Sequence, residues 1–135
     1  MGNKKIWLIA IVFFGLAFVG CDDGSNSTKT IDSRFRGKWE VTSVLQQGNT
    51  YTLPVYTLFR GYVYSAGYEI TATSIISYSN GDILQSASGV YSDGNSLYSA
   101  NGELGCTMEI NGNNAALTYQ YGTEYCVKKT YFSWE

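Results

Sequence analysis

The sequence predicts an all-β fold: an up-and-down antiparallel meander of about eight strands, closed into a small barrel. Three observations lead there. Beyond Arg34, Tyr, Val, Ile and Thr are frequent, glycine is spread at short intervals, and the only proline is Pro54. That is the composition of short strands joined by tight turns. The pairs Asn80-Gly81, Asp93-Gly94, Asn101-Gly102 and Asn111-Gly112 recur at hairpin spacing. No stretch of a dozen residues places its apolar side chains at a helical period.

Strands are expected near 38–45, 51–58, 60–66, 68–79, 82–92, 96–100, 103–111, 114–121 and 124–134. Alternation assigns their faces. In 68–79, Ile70, Ala72, Ile76 and Tyr78 share one face. A turn at Asn80-Gly81 sets Tyr78 opposite Ile83, and Ala87 and Tyr91 continue that face. A three-residue loop at Asp93-Gly94-Asn95 sets Tyr91 opposite Leu97. Then Leu104, Cys106, Met108 and Ile110 alternate with polar residues, and Ala115, Leu117, Tyr119 and Tyr121 follow across Asn111 to Asn114. One apolar face running through consecutive strands describes a sheet curling over a single interior. Closing it removes its edges, which favours a barrel; a sandwich is the alternative.

The start of the chain is of a different kind. Lys4 and Lys5 precede an uncharged apolar run, Ile6 to Val19, and Gly20-Cys21 then opens a polar stretch. A basic start, a short apolar segment and a small residue before a cut describe an export signal. The run has 14 residues, against about 20 for a membrane-spanning helix. Phe18-Val19-Gly20-Cys21 resembles the lipobox of bacterial lipoproteins. The resemblance implies cleavage between Gly20 and Cys21 and acyl chains, palmitate among them, on Cys21. Two or more chains make a stable anchor where one is marginal. The resemblance thus implies a protein lipid-anchored in the bacterial cell envelope. Whether it sits at the inner or the outer membrane stays open. The expected organisation is a signal-peptide helix in 1–20, a lipidated cysteine with a flexible tether in 21–33, and the barrel domain in 34–135.

Composition excludes several function classes. Without Lys4 and Lys5, seven basic residues face 11 acidic ones, a side-chain charge of −4. A nucleic-acid partner would call for a basic stripe instead. There is no histidine, which removes Ser–His and Cys–His nucleophile pairs and most zinc sites. No Gly-rich phosphate loop occurs, and Asp93-Gly94-Asn95 fails as a calcium loop because Leu97 takes the next ligand position. The chain is expected to be no enzyme and to need no cofactor or metal.

Gly37-Lys38-Trp39, opening the first strand, resembles the G-x-W start of lipocalins, fatty-acid-binding proteins and avidins. That resemblance implies a lipocalin-like barrel of the calycin superfamily, closed at one end by Gly37 and Trp39, with a basic residue of the last strand over the tryptophan. Lys129-Thr130-Tyr131 is similar to the Arg-x-Tyr pair with which the last strand of fatty-acid-binding proteins grips a ligand carboxylate. The two-helix lid of those proteins and the C-terminal helix of lipocalins have no counterpart here.

Lys129 and Tyr131 are therefore candidate ligand-binding residues, with Tyr119 and Tyr121 beside them. A three-residue loop at Gly122-Thr123-Glu124 points Lys129 and Tyr131 inward. A two-residue turn instead sends Lys129 to water and brings Lys128 in. Twelve tyrosines, Tyr62 and Tyr64 beside Arg60 among them, suit a lined cavity or an exposed adhesive surface. Cys106 and Cys126 are the candidate disulfide of an oxidising compartment. The expected pairing, however, separates them by one strand, roughly 10 Å, where a bridge needs Cα atoms within about 7 Å. Two packed thiols fit that spacing better. Two functions remain: a carrier holding a small amphiphilic or apolar ligand inside the barrel, or an interaction module such as an adhesin or protease inhibitor acting on a protein partner.

Overall fold

Two-residue turns and alternating apolar residues build the domain as a run of short antiparallel strands. The computed structural model describes residues 29–57, 61–120 and 122–135. The predicted signal peptide, the cleavage site at Gly20 and Cys21, and most of the tether lie outside the described residues. A 3-10 turn, Ser33–Phe35, is followed by β1 (Gly37–Gln46), β2 (Asn49–Thr52), β3 (Val55–Thr57), β4 (Gly61–Val63), β5 (Ala66–Ile70) and β6 (Ser74–Ser79). Then come β7 (Asp82–Ser88), β8 (Tyr91–Asp93), β9 (Ser96–Tyr98), β10 (Leu104–Asn111), β11 (Asn114–Tyr119) and β12 (Gly122–Lys129).

Nine of these strands form one strongly curled sheet in the order β7-β6-β5-β1-β12-β11-β10-β9-β8. β2 pairs with the far half of β1, and β3–β4 is a separate hairpin. The first and last strands pair along their length, from Lys38↔Lys129 to Leu45↔Thr123. The curl is a half-barrel, so the expectation of a closed barrel is corrected. The open side falls between β7 and β8. The chain passes from one to the other through Gly89-Val90 without reversing, so they are consecutive segments running the same way, β7 laddered only to β6 and β8 only to β9. Among the described residues no ladder joins β7 to β8.

The seam is stitched at one end by Thr30 and Ile31, among the first described residues. Ile31 N donates to Ala72 O at 2.8 Å and Ser92 N donates to Thr30 O at 3.1 Å, while Val90 N reaches Thr73 O at 3.0 Å. Asp32 caps the 3-10 turn, accepting from Arg34 N at 3.0 Å. Ile31 and Phe35 are fully buried. Packing thus starts at Ile31, within the segment expected to be tether.

Two register expectations change. The stretch 68–79 is two strands, because Thr71 Oγ1 accepts from Ser74 N at 3.0 Å and folds a turn at Thr71-Ala72-Thr73. Ile75 and Ser77 are consequently buried, while Ile76 and Tyr78 face outward. The β8–β9 turn has two residues, pairing Tyr91 with Tyr98 and not with Leu97. By contrast Tyr78↔Ile83 and Ile110↔Ala115 pair as expected, although the first pair, expected inside, stands on the outer face with Ile83 exposed. The interior is lined by Trp39, Val44, Tyr68, Leu97, Met108 and Leu117, all buried to within 1%.

The last predicted strand ends early. β12 stops at Lys129, and residues 130–135 fold back over the outside of β1 and β5. Phe132 and Trp134 stack at 4.4 Å, and Phe132 meets Tyr78 at 5.2 Å. Glu40 accepts from Ser133 N at 2.8 Å, and Lys38 Nζ meets Glu135 Oε1 at 2.9 Å. Gly67 makes room for this clasp: a Cβ there would stand 2.8 Å from Phe132 and 2.9 Å from the Trp39 carbonyl.

Candidate functional site

One end of the curl is sealed around Trp39. Its indole N–H donates to Phe35 O at 2.9 Å, and the Lys128 ammonium lies 5.1 Å from the ring centroid. Such a contact contributes on the order of 0.5–1 kcal/mol at an exposed site. Gly37, at φ +125°, leaves space for the Lys128 stem, whose Cε would be 2.9 Å from an added Cβ. Gly37, Trp39 and Lys128 of β12 therefore meet at one end.

The predicted ligand-gripping pair does not enter the interior. β11 and β12 pair Tyr119 with Gly122, leaving two residues in the turn. That shift sends Glu124 and Cys126 inward and Lys129 outward. Lys129 is exposed, and Tyr131, 70% exposed, stands on the clasp beyond the strand. Tyr119 does point in; Tyr121 lies outside the described residues. What the interior holds is Glu124, fully buried, accepting from the Tyr68 hydroxyl at 2.5 Å and the Tyr119 hydroxyl at 2.6 Å. Burial, with the Glu124 charge beside it, pushes the Tyr68 phenol well above its ordinary range.

Cys106 and Cys126 are free and buried. Cys126 stands opposite Ala115, which stands opposite Ile110, four residues along β10 from Cys106. The candidate disulfide is thus replaced by two separate thiols. Burial pushes both well up, and Glu124 adds to it, so neither is a ready nucleophile. Among the described residues no group of acidic or cysteine side chains could hold a metal ion.

The opposite end of β6 presents a row of rings. In the β3–β4 hairpin Val55 and Val63 turn inward, so the cross-strand pair Tyr56↔Tyr62 turns outward. Tyr56, Tyr62 and Tyr64 are 55%, 49% and 59% exposed, with ring centroids 5.4 Å and 6.3 Å apart along the row. Asn80, left-handed at φ 53° in the β6–β7 turn, fixes the row. Its side chain accepts from Tyr64 N at 2.8 Å and donates to Tyr62 O at 2.9 Å.

A third feature is an open groove of about 510 Å³ on the outer face of β1, β12, β11 and β10. The β1 ladder slips between Val41 and Ser43, a bulge that turns Thr42 to its edge. Glu109, Ala116 and Tyr125 are successive cross-strand partners beneath it.

Comparison with family models, with curated proteins and with solved structures found no match. Function must therefore be argued from the geometry.

Sequence reasoning missed Glu124 and Tyr68. The only signal was conditional: in the two-residue-turn register, Glu124 and Cys126 share the inward face. The tyrosine row was half visible, since Tyr62 and Tyr64 were singled out while Tyr56 was not.

Proposed function

We propose that this chain is a lipid-anchored lipoprotein of the bacterial envelope that acts as an interaction module, engaging a protein partner through the Tyr56–Tyr62–Tyr64 row. The observation that carries this is position. Ile31, near the first described residue, is tied to Ala72 at one end of β6, whereas the row is tied to Asn80 at the other. Six residues of strand separate the two, roughly 20 Å. With the anchor at Cys21, the rings stand at the end of β6 remote from where the tether joins, free to meet a partner. Three half-exposed tyrosines offer on the order of 300 Å². That is hot-spot size within a larger contact of about 800 Å² per partner.

Two experiments test this. Cys21→Ser should move the protein from the membrane to the soluble fraction; unchanged membrane association rejects the anchor. A photo-cross-linking residue at position 62, in intact cells of the host, should give one discrete adduct. That adduct should vanish when Tyr56 and Tyr64 are changed to serine, while one placed at Thr118 should give none. Equal adducts at both positions reject the row as the contact surface.

A second reading is favoured by Lys128 over Trp39: kinship with lipocalin-like carriers and a small amphiphile within the curl. Native mass spectrometry of protein purified from its host would reveal such a ligand as a constant mass increment.

A further inference from the structure

We propose that the groove over β10, β11 and β12 is a binding site for a small organic cation, an alkylammonium head with a short carbon stem. It lies outside both the tyrosine row and the interior and does not depend on either.

The register builds it. Glu109 faces Ala116, and Ala116 faces Tyr125, so a carboxylate and an aromatic ring stand two strand spacings apart, about 10 Å, across a methyl floor. The next row sets Asn111 opposite Asn114 and Asn114 opposite Val127. The slip in β1 between Val41 and Ser43 brings Thr42 to the rim. A side chain larger than alanine at 116 would fill the dip. At about 510 Å³, the groove falls within the common range of small-molecule sites, roughly 300–1,000 Å³.

Its chemistry selects the occupant. Glu109 is the single charged residue among those lining the groove. The ring of Tyr125, two strand spacings from the carboxylate, offers an apolar face to the carbon stem. Asn111 and Asn114 supply neutral hydrogen-bonding groups. The chain after residue 20 carries −4, and a negative domain draws cations and repels anions. An ammonium beside Glu109, with its methylenes over Ala116 and toward Tyr125 and Val127, satisfies each group. The same head could come from a free amine or from a lysine side chain of a peptide.

The test is titration of the 15N-labelled domain with n-butylamine, with a blocked lysine tetrapeptide and with n-butanol, followed by amide shifts. Both amine probes should give saturable shifts centred on Glu109, Ala116 and Tyr125, weakening as salt rises. Saturation by the peptide alone would assign the head to a protein lysine; saturation by both would assign it to free amines as well. Glu109→Gln should weaken binding about fivefold, within the range of a partly exposed ion pair joined to a hydrogen bond. Ala116→Leu should abolish it. Both substitutions are on the outer face, and unchanged spectra elsewhere confirm the fold. The proposal is overturned if neither amine saturates at millimolar concentration, if n-butanol binds as well, or if Glu109→Gln binds unchanged.

Discussion

Glu124 shows how a single carboxylate can specify an interior. Two tyrosine hydroxyls, from β5 and β11, converge on its two oxygens at 2.5 and 2.6 Å. A buried carboxyl group is tolerated only where hydrogen bonds replace its water. Tyr68→Phe removes one hydrogen bond to this buried group and should destabilise the domain by about 1–3 kcal/mol in urea unfolding. A loss near zero would mean that the hydroxyl is replaceable. Sequence reading could not see this cluster because Glu124 sat inside what looked like a loop. Gln120-Tyr121 contains neither Gly nor Asn, so nothing marked the turn that shifts the register by one.

At the scale of elements, turns decided what was legible. Asn80-Gly81 and Asn111-Gly112 carry residues suited to left-handed backbone, and the pairings across them came out as read. Thr71-Ala72-Thr73 reverses the chain through a threonine hydroxyl, and one long strand was read where there are two. The clasp was equally hidden. Thr130 to Trp134 alternates like a strand, yet Phe132 is buried against the outside of the sheet and not within it. Phe132→Ala should cost about 3–5 kcal/mol, and Gly67→Ala, which drives a methyl into the same ring, should also loosen the clasp. Amide exchange of residues 131–135 checks both. The end of the clasp is also acid-sensitive. Its hydrogen bond to Lys38 holds the Glu135 carboxyl below its ordinary value, so the tie is present above the ordinary carboxyl range and is lost as pH falls through the lowered value. The amides of Phe132, which donates to this carboxylate, and of Glu135 should broaden or shift there, while those of β12 stay fixed; no change down to pH 2 would count against the tie.

For the whole molecule, alkaline pH should find the weak point. Tyr68, Cys106 and Cys126 are all held protonated by burial. A raised folded value leaves stability intact below the unfolded value and removes it as pH climbs toward the folded one. The unfolded thiols ionise near 8.5 and the phenol near 10. Thermal unfolding midpoints should therefore be flat to about pH 8 and then fall, each group adding up to about 1.4 kcal/mol per pH unit. Replacing both cysteines with alanine should delay the onset toward pH 10; an unchanged onset would remove the thiols from the account. The class of the fold and its curl were legible from alternation and from the turn dipeptides. Closure was not, because 82–92 reads as one unbroken strand, whereas β7 and β8 are separate segments on either side of Gly89-Val90 with no ladder between them.

The stitching by Thr30 and Ile31 has a mechanical consequence. A pull applied at Lys29 enters the domain at the seam, through the hydrogen bonds of Ile31 to Ala72 and of Thr30 to Ser92. These lie where the two halves of the curl are least joined. Tension would first unzip that junction, baring the flank of β7, while the long pairing of β1 with β12 still held. A tethered molecule of this design would yield stepwise under load, and single-molecule stretching from the amino end should record a small early extension before the main rupture.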